Sequence, residues 1–231
     1  MIKIGLLFVA LFPILFLAYY VYKKDKIKEP EGLLLKVFIV GGLSIFPALL
    51  IELMLDNFLP SQDLRNIKQI IYSNFIGVAL VEEICKWTVV MILAYKNKYF
   101  DEVYDGIVYA VFTALGFACL ENLIYVYSYG LSTGLIRSIL SVPSHACDGI
   151  LMGFYIAHAK RAGIKKHIKI KIVFLILSLL VPTLIHGAYD YLLCLGKDIS
   201  ILLFFIILIL VYLISYKIVD IQSNKNERLT S

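Results

Sequence analysis

No polar stretch in this 231-residue chain is long enough to bury a core of its own, which excludes a separate soluble domain. Cysteines are few and scattered. Cys85, Cys119, Cys147 and Cys194 lie in different apolar segments without CxxC spacing, so they read as small apolar fillers rather than as a disulfide or zinc framework. There is also no internal repeat, and no low-complexity segment apart from apolar helix. What the chain does have is hydrophobic residues: 61% of the total, with a mean hydropathy of +0.86. Soluble domains run near 45–50% apolar. The expected fold class is therefore all-α, a polytopic membrane helix bundle making one domain over 1–231.

Hydropathy predicts about seven spans, at 2–22, 32–55, 70–95, 105–128, 138–159, 170–192 and 200–218. The first is too long for a signal h-region and lacks a small-residue cleavage site, so a retained helix is expected. Basic residues set the topology. Fifteen fall in alternate loops and the tail: Lys23, Lys24, Lys26, Lys28, Lys96, Lys98, Lys160, Arg161, Lys165, Lys166, Lys169, Lys171, Lys217, Lys225 and Arg228. Only five fall on the opposite side: Lys3, Arg65, Lys68, Arg137 and Lys197. The positive-inside rule then predicts a multi-pass cell-membrane protein with its N-terminus out and its C-terminus cytoplasmic. The net charge of +5 reflects orientation and lipid headgroups, and no nucleic-acid partner is expected.

Against this background, the third span is anomalous. It carries Glu82, Glu83 and, one turn later, Lys86. Three charges near a span centre cost roughly 7–10 kcal/mol on an insertion scale, while each Leu, Ile, Phe or Val returns only about 0.3–0.6 kcal/mol. Polar partners on other spans are therefore required. Candidates are Glu121 and Asn122 in span four, and His145 and Asp148 at i and i+3 in span five. Span six adds His186 and Asp190 at i and i+4. At 1.5 Å per residue these groups fall in the middle and outer half of a ~30 Å core, where one outward-opening cavity could gather them. Gly77, Gly106, Gly116, Gly149, Gly153 and Gly187 would let helices approach closely near them. Asp101, Glu102 and Asp105 read instead as a solvated helix start at the cytoplasmic side.

Carboxylates and imidazoles in this number suit activation of water against an amide. One ionised glutamate takes a proton from water as general base, while its neighbour stays protonated because adjacent buried carboxylates titrate as a pair. Lys86 can pair with Glu82 and fix its direction. A histidine and a nearby carboxyl or amide can donate to the developing oxyanion. Other protease chemistries fit poorly. No HExxH occurs, Ser144 and His145 are adjacent and so splay apart, and Tyr104-Asp105 and Tyr189-Asp190 lack a companion Gly-x-Gly-Asp.

Four motifs in order, Glu82-Glu83-x-x-Lys86, Gly116-Phe117-Ala118-x-x-Glu121-Asn122, His145-Ala-x-x-Gly149 and His186-Gly-x-x-Asp190, resemble those of PrsW-type intramembrane proteases. That family stands with the CAAX prenyl endopeptidases in a wider superfamily of glutamic-type membrane proteases. The resemblance covers about 70–192. It implies cleavage of a single-pass membrane anti-sigma factor on its extracytoplasmic side, which frees an extracytoplasmic-function sigma factor as part of a stress response. It also implies Glu82 as the water-activating base with Glu83 supporting it. Glu121 stands where the CAAX relatives carry a histidine, and either helps hold the water or orients Lys86. His186 and Asp190 stand at their His-x-x-x-Asn motif, so an oxyanion role for Asp190 requires its protonated form. His145 completes the catalytic set, with Lys86, Phe117, Asn122 and Asp148 supporting. No cofactor is expected, although two histidines and several carboxylates leave a divalent metal open. The rival functions are a proton- or cation-coupled transporter or channel using the same carboxylates, and a CAAX-type prenyl-protein endopeptidase. A transporter commonly shows repeats or matching broken helices, and neither is visible.

Overall fold

The computed structural model describes residues 2–58, 66–225 and 227–230. Arg65, counted above on the outer side, lies outside them. Among the described residues the chain is helical with no strands beyond one isolated bridge. It forms α1 (Ile2–Lys24), α2 (Glu31–Leu43), α3 (Ile45–Phe58) and α4 (Ile67–Tyr72), then a π-helical stretch (Ser73–Leu80) that runs into α5 (Val81–Leu93). There follow α6 (Val103–Tyr129), α7 (Leu131–Ile139), α8 (Ser141–Ile164), α9 (Ile168–Leu195) and α10 (Asp198–Lys225). Six helices or helix pairs are long and apolar enough to cross a membrane: α1, α2–α3, α6, α7–α8, α9 and α10. The seventh expected span is the continuous rod α4–π–α5, which the π turns and its charges set apart.

Proline explains the bends that divide the paired helices. Pro47 has no N–H for the Leu43 carbonyl, and the chain breaks at Ser44, whose hydroxyl donates to Gly41 O (2.6 Å). Pro143 likewise frees Ile139 O beside the break at Leu140, and the Tyr212 hydroxyl from α10 contacts Ile139 O (3.3 Å) and Leu140 O (2.9 Å). Pro13 in α1 frees Val9 O, which accepts from Ser138 of α7 (2.8 Å). At Pro143 and Pro13 the freed carbonyl is thus answered by a hydroxyl on a neighbouring helix.

The surface is apolar, as lipid requires: Leu53 is 64% exposed and Ile92 72%. α6 is the buried axis, packed between α2 and α8. The close approaches are made at glycine. A Cβ on Gly153 would stand 2.1 Å from Gly106 O, and one on Gly116 would stand 1.9 Å from Phe38 O. Gly153→Ala therefore has to push α8 off α6, at a cost of roughly 1–3 kcal/mol for overpacking. A lowered melting temperature in detergent is expected, and unchanged melting would show that the helices do not meet there. Gly77 was expected to serve the same purpose and does not: its nearest such contact is an ordinary 3.8 Å to Tyr72 O.

The loops predicted to share one side do meet at one end. Lys24 pairs with Asp220 (3.1 Å), Lys160 donates to Phe100 O (2.7 Å), and Arg161 pairs with Glu227. The tail adds backbone bonds to the start of α6, Val103 N to Glu227 O (3.0 Å) and Leu229 N to Asp101 O (2.8 Å). Asp101, Glu102 and Asp105 form that start, but Glu102 and Asp105 are buried in a capping box rather than solvated. All four cysteines are free.

Candidate active site

The π-helical stretch delivers the charged turn of α5. Where it begins, the Asn74 side-chain amide donates to Ile70 O (2.7 Å), competing with the regular i→i−4 ladder. π turns of this kind are frequent at functional sites. Beyond it, Lys86 is 1% exposed and forms the hub of a buried cluster. Its ammonium donates to Glu82 Oε2 (3.0 Å) and Glu83 Oε1 (2.8 Å), lies 3.2 Å from His145 Nδ1, and stands 4.3 Å over the Phe117 ring.

His145, from the first turns of α8, is held at both nitrogens. An ammonium can only donate, so Nδ1 accepts and the ring proton sits on Nε2, which donates to Glu121 Oε2 (2.8 Å). The ring therefore turns to Lys86 and Glu121, away from Asp148, its expected partner on the same helix face. Glu121 in turn takes Arg137 of α7 (2.7 Å). His186 contacts Glu83 Oε1 through Nδ1 (3.0 Å), and its Nε2 stands 3.9 Å from Glu82 Oε2 and 3.4 Å from Asp190 Oδ2. The two imidazoles meet edge to face, 5.4 Å apart.

A cavity of about 200 Å³ opens onto this cluster from the half of the bundle remote from the lysine-rich end. Glu82, Glu121, His145, Asp148, His186 and Asp190 line it; Glu83 does not, being wholly buried with Oε2 unpartnered. All six residues expected to be catalytic thus belong to one connected cluster. Glu121 contacts His145, which lies between it and Lys86. One supporting expectation changes. Asn122 stays out of the cavity, binding Ala10 O (3.1 Å) with its amide nitrogen and accepting from Arg137 Nε (3.3 Å).

Two charged lining residues escaped the sequence reading. Arg137 had been counted only as an outer-loop charge; it stacks over Tyr125 (3.9 Å) as well as binding Glu121. Glu52 of α3 also faces the cavity. A lone carboxylate within the apolar run 32–55 was the signal that could have found it.

A protein-family model described as PrsW family intramembrane metalloprotease matches residues 29–216. The chain belongs to the PrsW family of intramembrane proteases. It is 39% identical to Protease PrsW of Oceanobacillus iheyensis over 78% of this chain and 79% of that one. It is 36% identical to Protease PrsW of Bacillus subtilis over 77% of each. Protease PrsW of Clostridioides difficile is 31% identical over 98% of this chain and 95% of its own. No solved structure matches the chain.

The PrsW family description includes a metal, and the donors present fit one. Glu82, Glu83, His145 and His186 each offer a ligand atom, all within 4.8 Å of one another. Carboxylate and imidazole are the donors that zinc and manganese take, and Glu83 Oε2 is a buried oxygen without a partner. Lys86 donates to three of the four, so a bound cation would compete with its ammonium.

Proposed function

We propose that the protein is an endopeptidase working as one intramembrane domain. Its substrate is a single-pass membrane anti-sigma factor, cut on the extracytoplasmic side to activate an extracytoplasmic-function sigma factor. The observation that carries this reading is the cavity itself, where Glu82 meets open space while Lys86 and His186 hold Glu83 behind it. The N-terminus-out orientation expected from the basic loops would put this mouth at the extracytoplasmic side.

In the mechanism, Glu82 takes a proton from a cavity water, whose oxygen attacks the scissile carbonyl carbon. Lys86 fixes the direction of Glu82, and Glu83 fixes His186 through Nδ1. His186 Nε2 and Asp190 face the cavity; with Nδ1–H donating to Glu83, Nε2 donates to the developing oxyanion as part of an imidazolium, and Asp190 donates in its protonated form. His145 has both nitrogens engaged, and its role is to hold Glu121 and Lys86 in place. Glu82 then returns its proton to the leaving amide nitrogen as the C–N bond breaks. If a divalent ion is held by Glu82, Glu83, His145 and His186, it supplies Lewis-acid polarisation of the carbonyl.

The test is purified protein in proteoliposomes with a membrane-anchored anti-sigma factor. Cleavage into two fragments, cut at the outer side, is expected. Proton counter-transport without any cleavage would overturn the proposal in favour of the transporter. A chelator arm decides the metal: cleavage lost on chelation and restored by added divalent ion requires it, and unchanged cleavage leaves Glu82 acting alone.

A further inference from the structure

Glu52 lies within a membrane-spanning helix pair, yet among the described residues it makes no hydrogen bond or ion pair. An ionisable group in that setting is expensive and has to be answered by something. Its place in the cavity wall suggests what. A second depression, lined by Leu49, Glu52, Leu53, Asp56, Gly77 and Val78 among others, runs between α3 and the π-helical stretch toward the lipid face. It shares Leu49, Glu52 and Val78 with the catalytic cavity, so the two adjoin and Glu52 stands between them. Gly77 lines this groove, where a Cβ would meet only an ordinary 3.8 Å contact.

Charge completes the inference. The cavity wall carries Glu52, Glu82, Glu121, Asp148 and Asp190, and the groove adds Asp56. Arg137 faces the cavity but is taken by Glu121, and Lys86 is taken by Glu82 and Glu83. Among the described residues, the route has no cation left over for Glu52 or Asp56. A lysine or arginine of the substrate near the cut would supply one.

We propose that the substrate reaches the cavity laterally, between α3 and the π-helical stretch, and that Glu52 is a specificity residue that receives a lysine or arginine beside the scissile bond. The proposal rests on the proteolytic function above, and the experiment separates the two. Cleavage kinetics are measured for the wild type, Glu52→Gln and Glu52→Lys. The substrates are one with its native basic residue near the cut and one with that residue changed to Glu. Glu52→Gln is expected to raise KM about tenfold for the basic substrate with kcat within about twofold, the signature of lost binding rather than lost chemistry. Glu52→Lys is expected to prefer the Glu-bearing substrate, reversing the wild-type order. In a Glu82→Gln background, a photocrosslinker at Leu53 should label the substrate and one at Ile92 should not.

A fall in kcat at unchanged KM, or equal labelling from the two positions, overturns the proposal while wild-type cleavage leaves the protease standing. No cleavage by the wild type removes both. Should the Glu52 variants fail to fold, the Leu53 and Ile92 crosslinkers still decide.

Discussion

Glu82→Gln is expected to abolish proteolysis and leave the bundle folded. The amide keeps the shape of the carboxyl and can still accept from Lys86, which also retains Glu83 at 2.8 Å. What disappears is the ability to take a proton from water. General-base catalysis contributes about 10²–10⁴-fold to a rate, so the loss should be at least that large. Fragment release from the membrane-anchored substrate measures it, with a melting curve on the same sample to show that the fold survives. A variant that cuts at near wild-type rate would move the base elsewhere, and Glu121 would be the next carboxylate to replace because it also lines the cavity. Glu83→Gln should lose activity too. It should also lower stability, since Glu83 is 0% exposed and faces both Lys86 and His186.

Lys86→Met is expected to produce the largest loss of stability from a single site substitution. Methionine fills the volume with an unbranched chain, but it leaves Glu82, Glu83 and His145 without the donor they share. Removing one partner from a buried ion pair costs roughly 3–5 kcal/mol, because the remaining charges stay desolvated and uncompensated. Thermal unfolding in detergent should show the drop. The same variant reports on metal without any activity measurement: with the ammonium gone, Glu82, Glu83, His145 and His186 are free for a cation. Added zinc or manganese should then raise the melting temperature of Lys86→Met more than that of the wild type. If Lys86→Met melts like the wild type without metal, the hub is not holding the cluster together.

Much of this was legible in the sequence. The seven apolar segments announce their helices by length alone, and the four motif-bearing segments carry the six residues that line or abut one cavity. The rest was hidden for identifiable reasons. Hydropathy averages over a window, so it cannot separate π from α turns in 73–80, nor see that Pro47 and Pro143 each break a helix pair. Arg137 looked like a topology charge because α7 is too short to register as a span, and its partner Glu121 is distant in sequence. The motif left Glu121 either holding the water or orienting Lys86, and sequence spacing does not show that His145 stands between the two.

The π-helical stretch carries one more consequence, for chain length. Each residue added to or removed from a helix turns everything beyond it by roughly 100°. Deleting one residue anywhere in Ser73–Leu80 would leave every side chain of the cluster chemically intact. With α4 held in place, it would nonetheless move Glu82 to the position of Val81, which packs in a buried apolar cluster with Ile45 and Phe117. The spacing between α4 and Glu82 is therefore as much a part of the site as the carboxylate, and a gap or insertion there matters more than most substitutions in the same stretch.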